Sequence, residues 1–159
     1  MNSDWGRRLV GFFRKHSFLF LALAVFFVLA FPDLEGKSTY ATYELYRDIA
    51  VVQSMYDGEI ILQGHPSMFG GFHFGPAYYY LLYPFVVVTG FKVFSLALAS
   101  LIFFLATIVF SCIVVKEWWG DKTLALAAVF IMATSMFTIQ FARYGSNPNF
   151  IPFFALLFF

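Results

Sequence analysis

The chain has 159 residues, of which 61% are hydrophobic, 23% aromatic and only 12% charged, and its mean hydropathy is +0.78. Soluble domains carry about 25% charged residues, so this composition excludes an ordinary soluble domain and predicts an all-α polytopic membrane protein. The net charge of +1 and the lack of a basic stripe argue against a nucleic-acid partner. The single cysteine, Cys112, excludes a disulfide framework within the chain.

Apolar runs place the membrane spans along the chain. A helix needs about 20 apolar residues to cross the hydrocarbon core, and spans are predicted at about 12–32, 93–115 and 123–142. A fourth span is predicted from about residue 149, but its apolar run covers only about 15 Å before Phe159 at 1.5 Å per residue. We therefore expect the chain to be the N-terminal part of a longer membrane protein, cut inside this fourth span.

The first apolar run has a second reading, as a cleaved signal peptide. A basic stretch precedes an apolar core of near signal length. However, no small-x-small cleavage site precedes Pro32, and further spans follow. We therefore expect an uncleaved anchor. The basic residues before this run are Arg7, Arg8, Arg14 and Lys15.

The basic residues also predict the topology, because lysine and arginine concentrate in cytoplasmic loops. The basic N-terminus is expected in the cytoplasm, as is the short loop between Lys116 and Lys122. If the apolar segment 76–90 crossed the membrane, that short loop would lie outside, so the segment is predicted to lie in the outer interface. The protein is thus expected to be a multi-pass cell-membrane protein whose first loop, 33–92, is extracytoplasmic.

Two interfacial helices are predicted in this exported loop, at about 42–57 and 76–90. The first has an apolar stripe at helical spacing, and Gly58 follows as a stop. Pro76 suits the first turn of the second helix. The stripe residues are Leu45, Ile49, Val52 and Tyr56.

The exported loop also concentrates the acidic residues. Because Glu44 and Asp48 are four residues apart, both point from one side of the first interfacial helix. A polar loop packed against the face of a membrane domain is typical of a solvent-accessible active site. Six of the nine acidic residues lie in the loop: Asp33, Glu35, Glu44, Asp48, Asp57 and Glu59.

The order of these features resembles a known family. A basic N-terminus is followed by one span and then by an acidic exported helix that ends in Gly-Glu. Next come a Gly-Pro pair before Tyr-Tyr-Tyr-Leu-Leu, a span and a WWGDK loop. Another span and an Arg-x-x-x-Asn-Pro-Asn turn complete the order. This order is similar to the N-terminal third of the GT-C-fold glycosyltransferases that use polyprenyl-phosphate sugars. The most similar branch is the protein O-mannosyltransferase-like and aminoarabinose-transferase-like group, glycosyltransferase family 39. The resemblance covers about residues 18–159.

The resemblance implies an enzyme that moves a sugar from a lipid-linked donor, at the outer face of the bilayer, to a protein, lipid or glycan acceptor. It also implies a catalytic acid at the start of the first exported helix. The family's usual Asp-Glu pair is not present as such, so Asp48 and Glu44 are both candidates, and Asp48 is preferred. A carboxylate there can take the proton of the incoming hydroxyl.

Substrate-binding residues are predicted on the same side of the membrane, because a departing phosphate needs positive charge or oriented donors. Each candidate has an ordinary structural alternative: a local ion-pair partner, a loop histidine, an interface tyrosine, or a residue at a span end or turn. The predicted substrate-binding residues are Arg47, His65, His73, Tyr79, Arg143 and Asn147.

The spacing of histidines and acidic residues does not indicate a metal site, so no metal ligand is predicted. The cofactor is unknown; a divalent metal is allowed by the residues present but is not indicated by them.

Two other function classes stay open. A lipid or sugar transporter would also be polytopic, but it is expected to carry ionisable groups at mid-membrane, and the three complete spans contain none in their apolar runs. A non-catalytic membrane protein would share the scaffold, and the presence of Asp48 and Glu44 argues only weakly against it.

Overall fold

The computed structural model describes residues 16–32, 34, 43–67 and 70–158. These residues form no β-strand, only an isolated antiparallel bridge between Pro66 and His73, so the predicted all-α class is confirmed. The basic N-terminus, residues 12–15 of the first predicted span, Asp33 and Glu35 lie outside the described residues. The described helices are α1 (Ser17–Ala30), α2 (Tyr43–Tyr56), α3 (Ala77–Val88), α4 (Phe94–Trp119), α5 (Lys122–Thr134), α6 (Met136–Arg143), a 3₁₀ helix (Asn147–Phe150) and α7 (Ile151–Leu157).

Helix α4 is the centre of the fold. Its 26 residues extend for about 39 Å at 1.5 Å per residue, and it contacts α1, α3, α5, α6 and α7. The helix runs four residues beyond the predicted end at 115, because the first residue that stops it is Gly120, in the left-handed conformation with φ 64°. The side chain of Asp121 then caps α5 by accepting a hydrogen bond from the backbone N–H of Thr123 at 2.7 Å.

Two hydrophobic clusters pack on different parts of α4. The first joins α1, α4, α5 and α6, with Phe26 and Ile108 fully buried in it. The second joins α2 and α3 to the start of α4 and to the 3₁₀ helix, with Val52 and Leu82 fully buried. The second cluster fixes α2 and α3 against the first half of α4, so the chain between these two helices also lies at that end.

Helices α2 and α3 lie where interfacial helices were predicted. Helix α2 begins and ends within one residue of 42–57, and Gly58 follows it with φ 102°. Helix α3 begins directly after Pro76 and continues through Pro84 to Val88.

The predicted span 123–142 is a bent pair of helices rather than one continuous helix. Helices α5 and α6 meet at Ser135 with an angle of 55°, and Ser135 itself is extended. The Thr134 hydroxyl donates to the carbonyl of Phe130 at 2.8 Å, a local bond of the kind that bends helices. By length and composition α4 can cross a membrane, and α5 with α6 makes a second such segment if the pair counts as one span. The described part of α1 is a shorter apolar helix of 14 residues.

The end of α1, the start of α4 and the end of α6 meet at one end of the fold. Arg143 donates to the carbonyls of Ala30, at 3.1 Å, and Leu29. Gly145 lies so close to α4 that an added Cβ would be 2.7 Å from the backbone nitrogen of Ala97. The turn between α4 and α5 lies at the opposite end of α4.

Candidate active site

A cavity of about 250 Å³ lies at the end of the fold where α1, α4 and α6 meet. Three segments far apart in sequence build it: the first two turns of α2, the chain between α2 and α3, and the turn after α6. Five of the eight predicted site residues therefore share one cavity. The lining residues are Glu44, Leu45, Arg47, Asp48, His65, Pro66, Ser67, Phe74, Ser146, Asn147 and Pro148.

Asp48 is the buried acid of this cavity. Its residue is 3% exposed, although it lies on a helix whose neighbouring Glu44 is exposed. The Asp48 Oδ1 accepts hydrogen bonds from Arg47 Nε at 3.1 Å, from Arg47 Nη2 at 2.8 Å and from the Tyr79 hydroxyl at 3.4 Å. These three distances all join their donors to Oδ1, and the Tyr78 hydroxyl also lies close enough to Asp48 to interact with its charge.

Arg47 supplies the positive charge beside Asp48. Burial lowers the pKa of Arg47, but the hydrogen bonds and the negative charge of Asp48 outweigh this effect, and the net shift of the pKa is upward. The guanidinium is therefore a permanent cation. It forms a salt bridge to Asp48 and also lines the cavity.

Glu44 lies one turn before Asp48 and also lines the cavity, as the spacing of four predicted. It forms no hydrogen bond or salt bridge with any residue that the structure describes. Its side chain is exposed, so nothing in the described fold fixes its orientation. The two predicted acids therefore share a cavity but differ in burial and in the number of bonds that hold them.

His65 and Asn147 close the cavity across 82 residues of sequence. The His65 Nδ1 lies 3.1 Å from the carbonyl oxygen of Pro66, which can only accept, and its Nε2 lies 3.1 Å from the Asn147 side-chain nitrogen, which can only donate. This pair of contacts fits a neutral imidazole with the proton on Nδ1. Both ring nitrogens are then engaged within the protein, so His65 orients the cavity wall.

His73 does not line the cavity. Its Nδ1 donates to the carbonyl of Gly64 at 3.0 Å, and the backbones of Gly64 and Phe74 are joined by a hydrogen bond of 2.8 Å. A Cβ on Gly64 would be 2.7 Å from the carbonyl oxygens of Phe74 and Gly75. His73 therefore stabilises the narrow loop that carries His65.

Tyr79 lies behind Asp48 rather than in the cavity. Tyr79 is 2% exposed, and its hydroxyl lies 3.4 Å from Asp48 Oδ1 and also interacts with Arg47. Burial and then the charge of Asp48 raise the pKa of Tyr79 to about 12. The neighbouring Tyr78 hydroxyl is also buried and makes no well-formed hydrogen bond to any residue that the structure describes. Burial, followed by the charge of the nearby Asp48, raises the pKa of Tyr78 as well.

Arg143 also lies outside the cavity lining. Its guanidinium binds the last carbonyls of α1, which have no partner within their own helix. A cation at a helix C-terminus is favourable because it compensates the partial negative charge of the carbonyls. Arg143 therefore stabilises the C-terminal end of α1.

Asn149 is a residue that the sequence reasoning did not select. It is 2% exposed, and its side-chain amide donates to the carbonyls of Phe141, at 2.8 Å, and Tyr144. These bonds fix the turn that carries Ser146, Asn147 and Pro148 into the cavity. The Asn-Pro-Asn sequence was the available signal, but it indicated only a turn.

Among the described residues, no group of three or more His, Cys, Asp or Glu side chains is arranged to hold a metal ion. No family model, curated protein or solved structure matches the chain.

Proposed function

We propose that this chain forms the catalytic part of a membrane glycosyltransferase that takes a sugar from a polyprenyl-phosphate donor. The proposal joins the order of sequence features that resembles the GT-C-fold enzymes to one structural observation. That observation is the buried carboxylate of Asp48, held through Oδ1 by Arg47 and Tyr79 in the lining of a cavity.

The proposed step is displacement at the anomeric carbon of the donor sugar. The acceptor hydroxyl oxygen forms the new bond to that carbon while the bond to the phosphate oxygen breaks. Asp48 takes the proton of the hydroxyl, and the electron pair of the broken bond leaves with the polyprenyl phosphate. A carboxylate that is already oriented before substrate binds suits this role, since a general base must lie within hydrogen-bond reach of the proton. The exposed Glu44 lacks such support, which favours Asp48 as the base.

Arg47 is proposed to stabilise the departing phosphate. Among the described residues that line the cavity it is the one arginine or lysine, and positive charge near the leaving group lowers the barrier to transfer. The other cation proposed from sequence, Arg143, is engaged at the end of α1, and both nitrogens of His65 have protein partners. The acceptor is proposed to be a hydroxyl or phosphate group on a protein, lipid or glycan.

The enzyme is proposed to be a multi-pass protein of the cell membrane, with the cavity on the extracytoplasmic side. The length of α4, about 39 Å, exceeds the roughly 30 Å of a hydrocarbon core. Large apolar side chains are exposed on the outside of the helices, including Val28 on α1 and Ile131 on α5; a bilayer would cover such surface. The exposed Trp118 and Trp119 lie at the end of α4 far from the cavity, beside Lys116, as expected of a cytoplasmic interface.

The test is transfer by the full-length protein carrying Asp48→Asn. Membranes from cells that express each variant are supplied with a radiolabelled polyprenyl-phosphate sugar, and labelled product is counted. Loss of a general base lowers the rate by a factor of roughly 10² to 10⁴. Asp57→Asn is the matched control, because Asp57 follows the same helix but its side chain is exposed and bonded only to Gln53 among the described residues. Transfer at the wild-type rate by the Asp48 variant would refute the proposal.

A further inference from the structure

The Asp48 carboxylate is held from two different helices, and the two contacts are not equivalent. Arg47 is its neighbour on α2 and is partly exposed, so its side chain can follow Asp48 through changes of rotamer. Tyr79 belongs to α3, 31 residues away, and its ring is packed in the second hydrophobic cluster against Tyr78 with centroids 5.5 Å apart. Because Tyr79 lies on a separate, buried helix, it restrains the Asp48 carboxylate relative to the rest of the fold, which the neighbouring Arg47 does not.

The geometry assigns the hydrogen bonds to one oxygen. Arg47 Nε, Arg47 Nη2 and the Tyr79 hydroxyl all donate to Oδ1. Rotation of the carboxylate plane away from this orientation would lengthen and break the contact with Tyr79. The hydroxyl of Tyr79 therefore restrains the carboxylate plane of Asp48, a residue that lines the cavity. Near neutral pH the tyrosine is protonated, so toward a carboxylate it acts as a donor.

We infer that Tyr79 is a positioning residue for the transfer reaction: it fixes the Asp48 carboxylate through Oδ1, so that Oδ2 receives the proton of the acceptor, and it does not contact the substrate. This inference rests on the proposed function. It differs from the role expected from sequence, in which Tyr79 binds substrate, because Tyr79 is buried behind Asp48 and absent from the cavity lining. A positioning role predicts an effect on turnover without an effect on substrate binding.

The experiment compares Tyr79→Phe with the wild type in the full-length protein. Phenylalanine keeps the buried ring and removes only the hydroxyl. A hydrogen bond to a charged group that is lost in this way changes a rate by about tenfold. We expect kcat to fall about five- to tenfold, while the KM and the directly measured Kd for a radiolabelled polyprenyl-phosphate sugar stay within about twofold of the wild type.

Tyr80→Phe is the matched control. It also removes one phenol hydroxyl from α3, but this hydroxyl donates to the carbonyl of Ile61 at 3.1 Å, away from Asp48. Its kcat should equal that of the wild type. The amount of folded protein is checked for each variant by size-exclusion chromatography in detergent, so that kcat refers to folded enzyme.

The outcomes separate the inference from the proposed function. Wild-type kcat in Tyr79→Phe, with Asp48→Asn inactive, overturns the positioning role and leaves the function standing. A rise in the donor Kd with unchanged kcat also overturns it, because Tyr79 would then bind substrate. Transfer by Asp48→Asn at the wild-type rate overturns the proposed function itself.

Discussion

Gly145→Ala is expected to displace the turn that carries Asn147 into the cavity. An ideal Cβ at position 145 would collide with the Cβ and carbonyl carbon of Leu96 and would lie 2.7 Å from the backbone nitrogen of Ala97. Two of these three atoms belong to the backbone of α4, which cannot move aside as a flexible side chain can. Overpacking of this kind costs about 1–3 kcal/mol. The turn must shift to relieve the collision, and the contact between Asn147 and His65 shifts with it.

The assay measures both consequences on the purified full-length protein. We expect the free energy of unfolding in mixed micelles to fall by about 1–3 kcal/mol and sugar transfer to fall with it at temperatures where the protein is still folded. Gly75→Ala is the matched control, since no atom of a described residue, apart from its chain neighbours, lies within 4 Å of a Cβ added there and its φ is outside the left-handed region. If Gly145→Ala is as stable and as active as Gly75→Ala, the close packing of the turn on α4 is refuted.

Two further predictions concern pH and topology. Because the pKa of Tyr79 is raised from 10.0 to about 12, the folded state holds this proton more tightly than the unfolded chain, so its contribution to stability is complete below pH 10 and is lost as the pH rises through about 12. The loss of unfolding free energy over that range should be smaller in Tyr79→Phe than in the wild type, and an equally steep loss in both would contradict the assignment. The topology is tested with single cysteines placed in a Cys112→Ser background. A cysteine at the exposed position of Ile60 should react with a membrane-impermeant maleimide in intact cells, whereas one at the position of Glu117 should react only after lysis. The reverse pattern would place the cavity in the cytoplasm.

Local signals predicted the position of α2 well, and they failed at the end of α4 and at the break between α5 and α6. The apolar stripe and Gly58 were enough to place α2 within a residue at each end. The end of α4 was placed too early because Lys116 suggested a loop, whereas a charged residue in the last turn of a helix is compatible with its continuing to Gly120. The break at Ser135 has no proline or glycine to announce it; it accompanies the local bond from Thr134.

The candidate site was predicted by residue type but not by role. Five of the predicted site residues share the cavity: Glu44, Arg47, Asp48, His65 and Asn147. Four of them come from the polar stretch between the first two apolar runs, which could be read from the sequence, whereas Asn147 comes from the turn after α6. Roles depend on pairings across long stretches of chain, which spacing within a helix does not encode.

Two residues illustrate this limit. Arg143 binds the end of α1, more than a hundred residues earlier in the chain, and no periodicity links these positions. His73 bonds to a backbone carbonyl of its own loop, and a carbonyl leaves no signature in the sequence. Both were predicted to bind substrate phosphate because their side chains can carry positive charge or donate hydrogen bonds. The structure shows that each has a hydrogen-bond partner within the protein.

The most direct test of the account is a single-turnover reaction of the purified full-length protein with a radiolabelled polyprenyl-phosphate sugar. The rate at which labelled sugar leaves the lipid is compared between the wild type, Asp48→Asn and Glu44→Gln. We expect the Asp48 variant to lose at least about a hundredfold in rate, and to lose more than the Glu44 variant. A rate for Asp48→Asn equal to that of the wild type, or no release of sugar by the wild type, would contradict the account.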